Sequence, residues 1–315
     1  DNNQRIWGGS TPGGISIGIF VNNPTNYDDV TISGNNTGID CIATSGNIIG
    51  TYIGIQLFYC GNVLLENNNV MSAHDGTASA EPRALKLSVV TEAIIRNCRF
   101  ESAATGTVSS YCLDFNGIAD HTVRMVNCHI VASCDSPASG ITTSGIWGHC
   151  PNLYLYNNNI VAGPGGSSGM SCGLFLNTFS GRYTRLINNN FCCIAGALNN
   201  YGIYEDPAAT GVMDELITNN FIYCSTALYH DASGTNYNTT TLQAETWADG
   251  NIAENGVVLD SNGYATAGES LIAGEGTDCS GSTYTSTGSL TTDKDGAART
   301  GNAIDGWSIG PYEYD

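Results

Sequence analysis

The chain has 315 residues, with 10 Lys+Arg against 29 Asp+Glu, a formal net charge of -19, 12 % charged residues and 41 % apolar ones. So much apolar content at so little charge excludes a disordered acidic chain, and ten basic residues are too few to line a nucleic-acid groove. No apolar run reaches the ~20 residues of a bilayer-spanning helix, and 39 Gly with 33 Asn disfavour helix and point to an all-β protein.

Residues 1–27 show no amphipathic helical pattern and read as an N-terminal segment or first coil. The chain opens on Asp1 rather than Met, so a further segment is expected upstream. A first coil without a cap presents unpaired backbone groups. A copy of the chain, or that upstream segment, is expected to cover it.

A repeat then dominates residues 28–225. Six segments close alike, at Asn67-Asn68-Asn69-Val70, Asn97-Cys98-Arg99-Phe100, Asn127-Cys128-His129-Ile130, Asn157-Asn158-Asn159-Ile160, Asn188-Asn189-Asn190-Phe191 and Thr218-Asn219-Asn220-Phe221. The closing hydrophobe recurs at spacings of 30, 30, 30, 31 and 30 residues. A short apolar strand precedes each motif, as in Val63-Leu64-Leu65 and Leu153-Tyr154-Leu155. A second alternating strand lies earlier, as in Gly145-Ile146-Trp147 and Gly202-Ile203-Tyr204. One such unit cannot bury a face alone, whereas stacked units bury a continuous core. Asn suits the sharp corners because it tolerates the left-handed backbone, and its amide can pair with the Asn above and below. Asn67, Asn97, Asn127, Asn157 and Asn188 are therefore expected to form a corner ladder.

Strand, Asn-Asn-x-hydrophobe, then a Gly-Ile-x-hydrophobe strand resembles the coil of the right-handed parallel β-helix proteins, the pectin-lyase-like superfamily. The resemblance implies an all-β solenoid of ~30-residue coils. It implies little about activity, since lyases, hydrolases, tailspikes and adhesins share the fold.

Residues 226–315 read as irregular coils and a cap. Within them, Thr239 to Gly250 is expected to hold a short helix stopped by the glycine. The closing stretch through Tyr314 resembles the endings that finish the last coils of such proteins.

Twelve cysteines contain no CxxC pair, which argues against a zinc ribbon. Cys98 and Cys128 lie one repeat apart, either as stacked buried thiols or as partners in a bridge between coils. The histidines show no metal-ligand spacing, and neither metal nor cofactor is expected.

Outward positions of one strand form a column along a solenoid, spaced ~4.8 Å. The middle strand offers Gln56, Lys86, Asp114, Trp147, Tyr204 and Glu205 near one column, and Phe58 and His149 in the next. Acids, amides and rings along one face suit an extended glycan. Lys86, Asp114 and Glu205 are the candidate catalytic groups. A glycosidase pair from Asp114 and Glu205 would span three coils, ~14 Å, beyond the 5–9.5 Å that hydrolysis requires. The Asp40-Cys41-Ile42-Ala43 run is similar to part of a polygalacturonase motif, but only one acid stands where two are needed.

The expected function is a non-catalytic scaffold on a cell or virion surface, or otherwise extracellular, that self-assembles or binds glycans. The alternative is a polysaccharide-degrading enzyme, a lyase or glycoside hydrolase of tailspike type. Copies of itself and polysaccharide are the expected partners, with no nucleic acid and no membrane span.

Overall fold

The structure is a computed structural model. It describes residues 6–8, 16–22, 28–34, 39–44, 52–75, 81–106, 108–116, 122–135, 137–177, 183–193, 199–207, 214–253, 258–259, 265–267, 275–276, 279, 298–299 and 309–311. Across them each thirty-residue repeat makes one turn of a parallel β-solenoid. An eight-stranded sheet forms one wall, and a fourteen-stranded sheet wraps the rest.

The strand Tyr52–Glu66 shows how a coil is made. Its first half sends Ile55 and Leu57 inward, and its second half sends Val63 and Leu65 inward. Between them Tyr59 turns the chain with φ +53°, and Val89 does so one coil on with φ +57°. The strand Asn69–Asp75 then closes the coil against its neighbours in the eight-stranded sheet.

In-register pairing stacks like on like. Leu65, Ile95, Met125, Leu155, Leu186 and Ile217 form one inner column, and all six are fully buried. Each such side chain contributes about 1.5–3 kcal/mol of burial. One coil's hydrophobes are roofed only by those of the next, which is why the period is so regular.

The Asn corners divide labour between neighbours. Asn67, Asn97, Asn127, Asn157, Asn188 and Asn219 all adopt the left-handed backbone, with φ between 52° and 58°. They stack by backbone bonds, as from Asn97 N–H to the Val126 carbonyl at 3.1 Å. The side-chain ladder runs one residue later. Asn158 donates to Asn189 Oδ1, Asn189 to Asn220 Oδ1 and Asn220 to Asn251 Oδ1, each at 3.0 Å from Nδ2. The expected amide ladder is thus displaced by one position, because the second residue of each pair points into the core. Cys98 and Cys128 occupy that inward column: Asn68 N–H points at Cys98 Sγ at 3.5 Å, and Cys128 N–H reaches Asn158 Oδ1 at 2.9 Å.

The two ends differ. Among the described residues, the strands Ile6–Gly8 and Ser16–Asn22 each pair on one edge only. At the other end, Asn236–Tyr237 adds an antiparallel strand, and the helix Thr239–Gln243 follows, started by an Asn238 capping box. The helix stops at Gln243, and turns carry the chain on to Gly250, at φ +65°. Leu242 and Ala248 sit fully buried over the last coil, with Trp247 against Tyr229 at 5.4 Å.

The tail returns along the outside of the Asn corner. Gly310 N–H bonds the Asn188 carbonyl at 2.7 Å, and Arg299 Nη2 bonds Asn127 Oδ1 at 3.2 Å. Ile309 packs on Phe221, and Cys279 packs on Val126, Tyr156 and Ile187. Those three share an outward column with Glu66 and Arg96. The column is an ion pair at 2.9 Å before the tail reaches it and apolar beneath the tail.

Candidate functional site

Strand pairing assigns the outward-pointing column on the first wall of each coil. Its members are Phe20, Gln56, Lys86, Asp114, Trp147, Phe175, Tyr204 and His230. Beside it run Phe58, Ser88, Asn116 and His149. The His149 side chain lies outside the described residues. Glu205 belongs elsewhere. It pairs with Leu176, in the inner column of Leu57, Leu87, Phe115 and Gly148, and is 2 % exposed. There its Oε2 accepts from Ala232 N–H at 3.1 Å. Residues next to each other on a strand face opposite ways, so Tyr204 and Glu205 cannot share a face.

The column has a charged half and a ring half. Asp114, 6 % exposed, meets Arg83 Nε at 2.8 Å and Lys86 Nζ at 3.8 Å through the same Oδ2. The Arg83 N–H does not point along its line to the oxygen, so this is an ion pair in contact rather than an aligned hydrogen bond. Arg83 also holds Glu81 at 2.7 Å and lies over the Tyr111 ring at 5.7 Å. Two acids and two cations thus compensate each other, with Gln56, 8 % exposed, paired to Lys86 from the preceding coil. The other arginines on these coils are likewise matched: Arg96 to Glu66, Arg99 to Glu101 and Arg124 to Glu92.

In the ring half, Trp147 and Phe175 stack at 4.0 Å and 5°. Phe175 and Tyr204 follow at 5.2 Å and 27°, then Tyr204 and His230 at 4.7 Å and 6°. Tyr111 packs edge-on against Trp147 at 4.8 Å, and Tyr201 flanks Tyr204 at 4.9 Å. Successive rings thus stack face to face along the column, one per coil. Burial, then the charge of Glu81, pushes the Tyr111 phenol up, and the Ser109 hydrogen bond and Arg83 offset this only in part. Burial also raises Tyr201 and Tyr204. All three remain neutral at physiological pH and act as rings and hydrogen-bonding groups rather than as bases.

Sequence reasoning missed Phe175 and His230, and it did not pair Arg83 with Asp114. Phe175 carried a signal, since it stands two residues after Gly173 as Trp147 does after Gly145 and Tyr204 after Gly202. The Arg83–Asp114 pairing carried none, because the two lie one coil and 31 positions apart.

Cys98 and Cys128 are free thiols, as are the other nine cysteines whose side chains are described. At the coil spacing of ~4.8 Å their Cβ atoms stand beyond the ~3.8 Å of a bridge. Burial pushes Cys128 well up. No helix among the described residues is long and apolar enough to cross a membrane.

Fold and column together define the class, a parallel β-helix with an ionic and aromatic outer face. Comparison with protein-family models, with curated proteins and with solved structures finds no match.

Proposed function

We propose that this chain is a non-catalytic β-helical scaffold of the pectin-lyase-like kind, displayed outside a cell or on a virion surface. The observation that carries this reading is the closed state of the outer column. Asp114 already takes both Arg83 and Lys86, and the rings spend their faces on each other. A sugar stacks on a free ring face, and a general base needs a carboxylate not held by two cations. Such a column stiffens the stack. Glycan contact, on this reading, goes through ring edges and the polar column of Phe58, Ser88 and Asn116.

The ends support a directional assembly. The antiparallel strand and helix terminate the C-terminal end, while Ile6–Gly8 and Ser16–Asn22 each pair on one edge among the described residues, the latter carrying Phe20 at 53 % exposure. A copy of the chain, or a segment before Asp1, is proposed to join there.

One arrangement favours the enzyme reading. The Lys86 amine stands 3.8 Å from Asp114, loose enough for an incoming uronate carboxylate to draw it away. Incubation with acidic and neutral polysaccharides, reading unsaturated products and reducing ends, decides between the two. No turnover is expected. Turnover lost in Lys86→Ala and Asp114→Asn would replace the scaffold by a lyase.

A further inference from the structure

We infer that Cys193 and Cys224 form a disulfide under oxidising conditions, fastening the last full coil to the one before it. The inference rests on strand register and not on the scaffold reading.

Cys192 pairs with Tyr223 across the eight-stranded sheet, so the next residues, Cys193 and Cys224, face each other across one coil spacing. Their side chains lean the same way. Cys193 Sγ donates to the Tyr201 carbonyl at 2.8 Å and Cys224 Sγ to the Ala227 carbonyl at 2.9 Å, and Tyr201 and Ala227 are themselves strand partners. A Cα separation of about 5 Å lies inside the window for bridged cysteines, and the Cβ atoms need to close by roughly 1 Å.

Cys98 and Cys128 share the same spacing, but both are fully buried in mid-stack, where no oxidant reaches their thiols. Cys224 lies one residue beyond the strand Phe221–Tyr223 and is only half-buried. It borders a cavity of about 270 Å³ that also touches Thr226 and Asn238 beside the closing helix. The cavity gives a small oxidant access to Cys224.

The chemistry balances as two thiols and one hydrogen peroxide giving one disulfide and two waters. Attack starts from a thiolate. Burial pushes Cys224 up to about 12, so at neutral pH the reaction is slow and gains about tenfold in rate per pH unit.

The test treats the full chain with peroxide at pH 7 and pH 9, alkylates it, digests it and maps linked peptides by mass spectrometry. A Cys193–Cys224 peptide lighter by two hydrogens is expected, forming faster at pH 9, with Cys98 and Cys128 still alkylated after denaturation. Cys193→Ala and Cys224→Ala each remove it. Both variants should fold, because the same column carries Ala132 and Ala162 in earlier coils. The thermal midpoint of the oxidised chain should rise by about 3–6 °C, with neither variant responding. Full alkylation of both thiols after peroxide at pH 9, or pairing of either with Cys172 or Cys192, overturns the inference.

Discussion

Asn189 donates from Nδ2 to Asn220 Oδ1 at 3.0 Å, while its own Oδ1 accepts from both the backbone N–H and Nδ2 of Asn158 at 3.0 Å. One amide therefore joins three coils in a site closed to water. Asn189→Ala strands donors on Asn158 and the Leu155 carbonyl, and should cost about 3 kcal/mol or more. Asn189→Cys should cost about half as much, since Cys98 and Cys128 serve in the same column. Urea denaturation with an unchanged slope measures both.

The corner opposite the asparagines holds a strained residue. Val89 sits at φ +57°, where a β-branched side chain is an outlier. Val89→Asn should raise stability by about 1 kcal/mol, and Asn97→Val, at φ +54°, should lower it by about 1–2 kcal/mol. Equal and opposite results would show that the corner conformation, not packing, sets the preference.

Glycines in the first wall separate close approach from spare room. A Cβ at Gly202 would meet the Leu228 carbonyl at 2.8 Å and the Ile222 side chain, whereas one at Gly148 finds its nearest atom at 3.5 Å. Gly202→Ala should lose about 2–3 kcal/mol, and Gly148→Ala should be neutral or stabilising. Thermal melts of the two variants side by side check the contrast.

The turn after the ring column depends on an ionised acid. Burial alone would raise the Asp231 carboxyl, but hydrogen bonds from Thr235 N–H, Ser233 and Tyr237 outweigh it and hold it below the usual carboxylate range. A lowered folded-state value means that the contribution is complete above the unfolded carboxylate range and fades as pH falls through the folded value. Hydrogen exchange at Thr235 N–H should therefore accelerate below about pH 4, beyond the intrinsic pH effect, and Asp231→Asn should show the faster exchange at every pH. An unchanged protection factor down to pH 2 would remove Asp231 as the anchor.

The outer column shows where reading the repeat stops. Gln56, Lys86, Asp114, Trp147 and Tyr204 can be aligned from the period alone, because each stands at a fixed offset from an inward hydrophobe. That the rings lie face to face, that Arg83 reaches Asp114, and that Glu205 turns inward all depend on side-chain torsions and on the exact residue at which each strand bends. Alternation tells the two faces of a strand apart only once that bend is known, and a shift of one residue exchanges them.

The sequence by itself determined the solenoid. Its pitch is a property of neighbours, in which a left-handed Asn corner and an inward hydrophobe recur every thirty residues and each coil is roofed by the next. Only the tertiary structure decided which Asn of each pair enters the ladder, and where the tail goes. Gly310 meets Asn188 across more than a hundred intervening residues, a contact that leaves no period behind it. Its one trace is the outward column that passes from Glu66 and Arg96 to Val126, Tyr156 and Ile187, because a surface covered by the chain itself must be apolar where a surface facing water need not be.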